Sequence, residues 1–140
     1  MRSIILAAAL TLVAGPALAG ETSAPEGAEL YFISPQDGAT VSSPVTVRFG
    51  LKGMGVAPAG TEKEKTGHHH LLIDAPAPGG AALNEPIPAD DHHKHFGGGQ
   101  TETGIELAPG EHSLQLVLGD WSHIPHNPPV MSERITITVK

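Results

Sequence analysis

The chain has no cysteine, and that absence removes several functional classes at once. Zinc fingers built on cysteine, iron–sulfur clusters and blue-copper centres all need thiolate ligands. Any metal site here must therefore use imidazole nitrogen, oxygen or methionine sulfur, and packing must hold the fold without disulfides. Basic residues are also scarce, with eight Lys and Arg against fifteen Asp and Glu and a formal net charge of −7. Such a surface argues against binding DNA, RNA or anionic lipid by neutralising phosphates. Helix signals are nearly missing beyond the first twenty residues, because Gly and Pro interrupt every window long enough for an amphipathic helix.

The first residues, MRSIILAAALTLVAGPALAG, combine Arg2, an apolar stretch from Ile4 to Val13 and the small-residue site Ala17-Leu18-Ala19. This is the pattern of a cleaved signal peptide over residues 1–19, too short to span a bilayer. It predicts an exported protein, periplasmic or secreted, with no transmembrane segment after cleavage. Removing 19 of the 140 residues leaves 121, enough for one domain with a real core. Seven basic residues then face fifteen acidic ones, a charge of −8. Residues 20–27 read as a flexible leader and 28–140 as a single domain.

Strand signals recur through that domain. ELYFIS is a short aromatic and β-branched run closed by a turn at Pro35 and Gly38. In SPVTVRFGLK, Val45, Val47, Phe49 and Leu51 point one way while Thr46, Arg48 and Lys52 point the other. HHHLLID, TETGIEL and HSLQLVLGD follow, the last with Leu114, Leu116 and Leu118 on one face. SERITITVK sets Ile135, Ile137 and Val139 inward. Six or seven short strands, each with one apolar face, predict an all-β, immunoglobulin-like or fibronectin-like antiparallel β-sandwich. Two connections, GMGVAPAGTEKEKTG and APAPGGAALNEPIPADD, are too long for hairpins, and both flank the strand that carries the first histidine run.

Nine histidines stand in the chain, eight of them in three clusters. In GHHHLLID, successive side chains of a strand alternate, so His69 joins the apolar face of Leu71 and Ile73 while His68 and His70 share the other. In DDHHKHF a locally extended chain pairs His93 with His95. Two such pairs facing one another supply four nitrogens, a coordination number suited to zinc or Cu(II). GDWSHIPHNPP places His123 and His126 in a proline-stiffened loop, where they either add ligands or pack the sandwich end beneath Trp121. His112 stands alone and reads as structural. Asp74, Asp90 and Asp91 are candidate ligands or orienters of imidazole. Met54 and Met131 are too few for a methionine-rich copper motif, and FGGGQT precedes a strand, not a helix, so it makes no phosphate loop.

Over GHHHLLID, PIPADDHHKHFGGGQTET, PGEHSLQLVLGDWSHIPHNPPVMSERITITV and the opening LYFISPQDGATVSSPVTVRFGLKGM, the chain resembles a family of small exported bacterial proteins known as domain of unknown function number four-three-nine-nine. The resemblance implies an exported all-β domain and supplies neither a metal nor a reaction. A sandwich bearing His-x-His is also broadly similar to copper–zinc superoxide dismutase, but the dismutase cysteine pair and histidine spacings are missing here.

The residues thus predict a histidine-rich periplasmic protein that buffers, stores or delivers copper or zinc, with His68, His70, His93, His95, His123 and His126 as candidate ligands. The ion, and a second periplasmic protein that exchanges it, are the expected partners. Imidazole must be deprotonated to bind, so protons are expected to compete from about pH 6.5 downward. The alternatives are an enzyme with three histidines and an open metal position, or an envelope binding module without metal. Ser122, His123 and Asp120 can be drawn as a hydrolase triad, but adjacency in sequence does not make one.

Overall fold

The structure, a computed structural model, describes residues 20–140, and the expected signal peptide lies outside the described residues. Nine strands run in the order β1 (Glu29–Ser34), β2 (Thr40–Val41), β3 (Val45–Lys52), β4 (Gly55–Val56), β5 (Thr66–Ile73), β6 (His93–His95), β7 (Glu102–Ile105), β8 (Gly110–Gly119) and β9 (Ile135–Val139). The only helical element among the described residues is a single 3-10 segment at Gly80–Asn84. No helix there is long and apolar enough to cross a membrane. The all-β sandwich expected from the strand periodicity is the observed fold.

One sheet has three strands in the order β1-β3-β7, and the other has β2-β9-β8-β5-β4 with β6 also pairing to β5. The long pairings are antiparallel, whereas the two-residue strands β2 and β4 lie parallel to β9 and β5. Alternation decides which residues face inward. Val45, Val47 and Phe49 from β3 meet Leu71 and Ile73 from β5, Leu114, Leu116 and Leu118 from β8, and Ile135, Ile137 and Val139 from β9 in one continuous core. Each of these side chains removes apolar surface from water, the main favourable term in folding.

The outer face of β5 is also buried, which a surface sheet normally avoids. The connection between β5 and β6 and the segment after β8 cover it. Ala75 and Ile87 pack on Leu72 and Val117 in a second small core, with Met131 at its edge. The Ile87 amide donates to the His123 carbonyl at 2.9 Å, tying the two covering loops together. Residues 20–27, expected as a flexible leader, are held instead over their first part. Ser23 forms a parallel bridge with Asn127, and the Ala24 amide donates to the Asn127 carbonyl at 2.9 Å. Backbone groups of the 125–127 loop give the leader hydrogen-bond partners, so it docks despite its polar composition.

Leu116 has no exposed surface, whereas Ile33 is 51% exposed. Leu116→Ala should lower unfolding free energy by about 2–5 kcal/mol, and Ile33→Ser should change it by less than about 0.5 kcal/mol, as urea denaturation would measure. Equal effects would contradict the assignment of the inner face.

Candidate metal centre

The register of β5 with its neighbours builds the site. His70 lies opposite His95 on β6 and Val117 on β8, while His68 lies opposite Gly119. His68 and His70 therefore project from the same outer face, and the β6 pairing brings the His95 ring alongside. The Nε2 atoms of His68 and His70 are 3.0 Å apart, and those of His68 and His95 are 3.2 Å apart. His123 arrives from the loop after β8, with ring centroids 5.1 Å from His68 and 4.7 Å from His95. Ligand atoms of His68, His95 and His123 all fall within 4.8 Å of one another. The His123 ring lies farther from His70, at 6.1 Å between centroids.

Glycines make this crowding possible. A β-carbon at Gly119 would stand 2.7 Å from His70 Nε2, and one at Gly97 would overlap the His95 ring. Neither position tolerates a side chain without moving an imidazole. The Nδ1 atoms of His68 and His70 are buried without a hydrogen-bond partner among the described residues. Packing fixes the two rings, with Gly119 walling His70, in place of the carboxylate or carbonyl that usually orients a metal-bound imidazole.

Hydrogen bonding alone cannot satisfy the convergent nitrogens. A neutral imidazole has one N–H and one lone pair, so His68 Nε2 is either donor or acceptor, yet it faces two other ring nitrogens. One proton serves one contact well. A cation at the common point accepts a lone pair from every ring. Nitrogens about 2.0–2.1 Å from an ion at tetrahedral angles lie roughly 3.3 Å apart, close to the spacings seen. The donor set thus fits a transition-metal ion with a preference for nitrogen.

The centre has a floor and a rim. His68 and His70 have no exposed surface, His123 is partly buried and His95 is exposed. Burial lowers the His68 pKa to about 4, with the nearby His95 and His123 adding to the effect and Asp120 opposing it. Burial also lowers His70, to about 2, with His68, His95 and His123 pushing the same way. His95 is lowered chiefly by burial and then by His123. The floor rings are therefore neutral, with lone pairs free, throughout the neutral range. Burial thus holds both floor rings below the ordinary histidine value.

The remaining histidines are held elsewhere. His93 sits opposite Leu72, one step beyond His95, and its Nδ1 is 2.7 Å from Asp90 Oδ1. It does not join the cluster, because β6 is only three residues long and its register places His95, not His93, beside His70. His126 is fully buried on the core side of Gly67, where its Nε2–H donates to the Thr66 carbonyl at 3.1 Å. It plugs the sandwich end. His92 Nδ1–H donates to the Ile73 carbonyl at 2.9 Å. His112 lies between Asp74 Oδ2 at 2.7 Å and the Ala108 carbonyl at 2.8 Å, and the Asp74 contact is the main cause of its raised pKa. Asp74 and Asp90 thus orient histidines outside the cluster. The Ser122 hydroxyl donates to Asp120 at 3.1 Å, so these residues do not form the relay a triad needs.

His69 follows the alternation into the core, where its ring packs at a tilt against Phe49, with centroids 5.1 Å apart. Both its nitrogens are buried without a partner among the described residues. Burial alone lowers its pKa to about 4. A base whose folded pKa lies below its unfolded value binds fewer protons when folded, so acid destabilises the fold from about pH 6.5 down to pH 4. His69→Leu in the metal-free protein should match or exceed wild-type stability at pH 7. It should also lose roughly 2 kcal/mol less on acidification to pH 4.5, as urea titrations at both pH values would show. An unchanged acid slope would contradict this role for His69.

A β-sandwich carrying an imidazole cluster on the covered outer face of one sheet is the class that fold and site define. The chain belongs to the family described as Domain of unknown function (DUF4399), matched over residues 47–140. The match includes all nine histidines and begins at Val47, inside the opening stretch, residues 30–54, that also suggested the family. No curated protein and no solved structure matches the chain.

Proposed function

We propose that this protein is an exported, periplasmic metal-binding protein that holds one copper or zinc ion at His68, His70, His95 and His123 and buffers, stores or delivers it. The observation that carries the reading is the approach of three Nε2 atoms, His70 and His95 lying 3.0 and 3.2 Å from His68, inside a chain that offers no thiolate. Desolvation favours neutral floor imidazoles, which are the binding form. A mature charge of −8 raises the local concentration of cations. The exposed His95 and half-buried His123 give an incoming ligand from a second protein access to the ion, so transfer proceeds by exchange at the rim while the floor pair keeps hold.

One observation favours a second reading. The set of His68, His95 and His123 can hold an ion by itself, and a site with three protein ligands keeps a position open for water. A zinc-bound water there would be activated for hydration or hydrolysis.

The test is elemental analysis and metal titration of untagged protein purified from periplasm. Wild type should carry one equivalent of copper or zinc. Loss of an outer partner of a ligand already costs about 10–100-fold in affinity, so His68→Ala and His95→Ala should each weaken binding by at least about 100-fold. His93→Ala should leave affinity within a few-fold of wild type. Undiminished binding in His68→Ala, or a large loss in His93→Ala, would overturn this ligand set.

A further inference from the structure

His123 is the one clustered histidine not placed by strand pairing. Its backbone has φ +73°, in the left-handed region that non-glycine residues rarely adopt. A short turn holds it there. Asp120 Oδ1 accepts from the Ser122 amide at 2.9 Å, the Ile124 amide at 3.0 Å and the Ser122 hydroxyl at 3.1 Å. The His123 amide donates to the Asp120 carbonyl at 3.0 Å, and the Asp120 amide donates to the Ile124 carbonyl at 2.8 Å. Asp120 is buried, at 3% exposure, so its carboxylate needs partners on both oxygens.

The partner of the second oxygen comes from far away in sequence. Thr22 Oγ1–H donates to Asp120 Oδ2 at 2.7 Å. The flanking backbone docks on the same loop, with the Asn127 amide donating to the Thr22 carbonyl at 2.9 Å and the Ala24 amide to the Asn127 carbonyl at 2.9 Å. The Gly20 amide donates to Asn84 Oδ1 at 2.7 Å. Gly20 has φ +63°, and a β-carbon there would strike the Pro125 carbonyl oxygen, so glycine alone fits the seat. Gly20, Thr22 and Ser23 are absent from both apolar cores; of this segment only Ala24 packs against the main one, and only partly buried. Apart from the Gly20 bond to Asn84, these polar contacts converge on the turn that presents His123 and on the loop just behind it.

We propose that residues 20–24 are a strap that sets the position of His123, with Thr22 and Asp120 as positioning residues of the metal centre. The inference rests on reading the histidine cluster as a metal site. The strap makes rim geometry separable from fold stability. Its loosening converts a centre with His123 in place into one held by the strand histidines alone.

The test uses the full mature chain, with Cu(II) alone as probe and nitrogen couplings in the electron paramagnetic resonance spectrum as readout. Thr22→Val should weaken Cu(II) binding about tenfold or more, as loss of an outer partner does, and should remove one imidazole from the spectrum. The urea midpoint of the metal-free protein should hardly move. Thr22→Ser, which restores a hydroxyl, should recover the wild-type spectrum. The double variant Thr22→Val with His123→Ala should bind no more weakly than His123→Ala, because both changes remove the same ligand. A Thr22→Val spectrum identical to wild type, or fully additive losses in the double variant, would overturn the proposal. Wild type that takes up no Cu(II) would overturn the metal reading, and the positioning role with it. Hydrogen exchange at the Ile124 amide judges the strap without metal: faster exchange in Thr22→Val upholds the clamp, and unchanged exchange removes it.

Discussion

Two-residue alternation along β5 is the constraint from which the site follows. Three consecutive histidines cannot share one face of a strand, so the chain sends His68 and His70 outward and His69 into the core beside Phe49. A one-residue slip of β5 against β8 would exchange these faces and place two imidazoles in the sandwich interior. The inward leucines Leu114, Leu116 and Leu118 on β8 oppose that slip, since their burial fixes the register that pairs Gly119 with His68. The same hydrophobic packing that stabilises the sandwich thus determines which histidines meet.

Burial then decides their chemistry. The connection between β5 and β6 folds over the outer face of β5 and makes a second apolar cluster beside the imidazoles. Water is excluded from His68 and His70, and desolvation holds both rings neutral. Neutral rings with converging lone pairs are unfavourable neighbours without something to share, because each pair needs a proton or a cation between its nitrogens. A divalent ion meets that need for all of them at once. The contrast between a dry floor and an exposed His95 gives the site a direction, toward the rim, along which an ion would enter and leave.

Much of the fold was legible in the residues because its strands are amphipathic. Val45, Val47 and Phe49, or Ile135, Ile137 and Val139, declare their inward face through spacing alone, and all six are buried. The His68 and His70 pair was legible for the same reason. Its partners were less so. Pairing His93 with His95 followed from alternation, but which of the two meets β5 near His70 depends on where a three-residue strand begins, and no local pattern states that. The docking of residues 20–24 was illegible because it joins Thr22 to Asp120, 98 positions apart, through polar groups with no periodicity. The turn around His123 did leave a local sign: an aspartate two residues before a serine and four before Ile124 is suited to collecting the amides that follow it.

An all-nitrogen centre on a cysteine-free sandwich has a direct test. Crystals of the mature protein grown with one equivalent of Cu(II), and separately of Zn(II), would be measured at the absorption edge of each metal. The expected map has a single anomalous peak about 2 Å from Nε2 of His68 and within bonding distance of His95 and His123 or His70. A peak seated instead on His93 with Asp90 or on His112 with Asp74, or no peak near His68 at all, would contradict the shared centre.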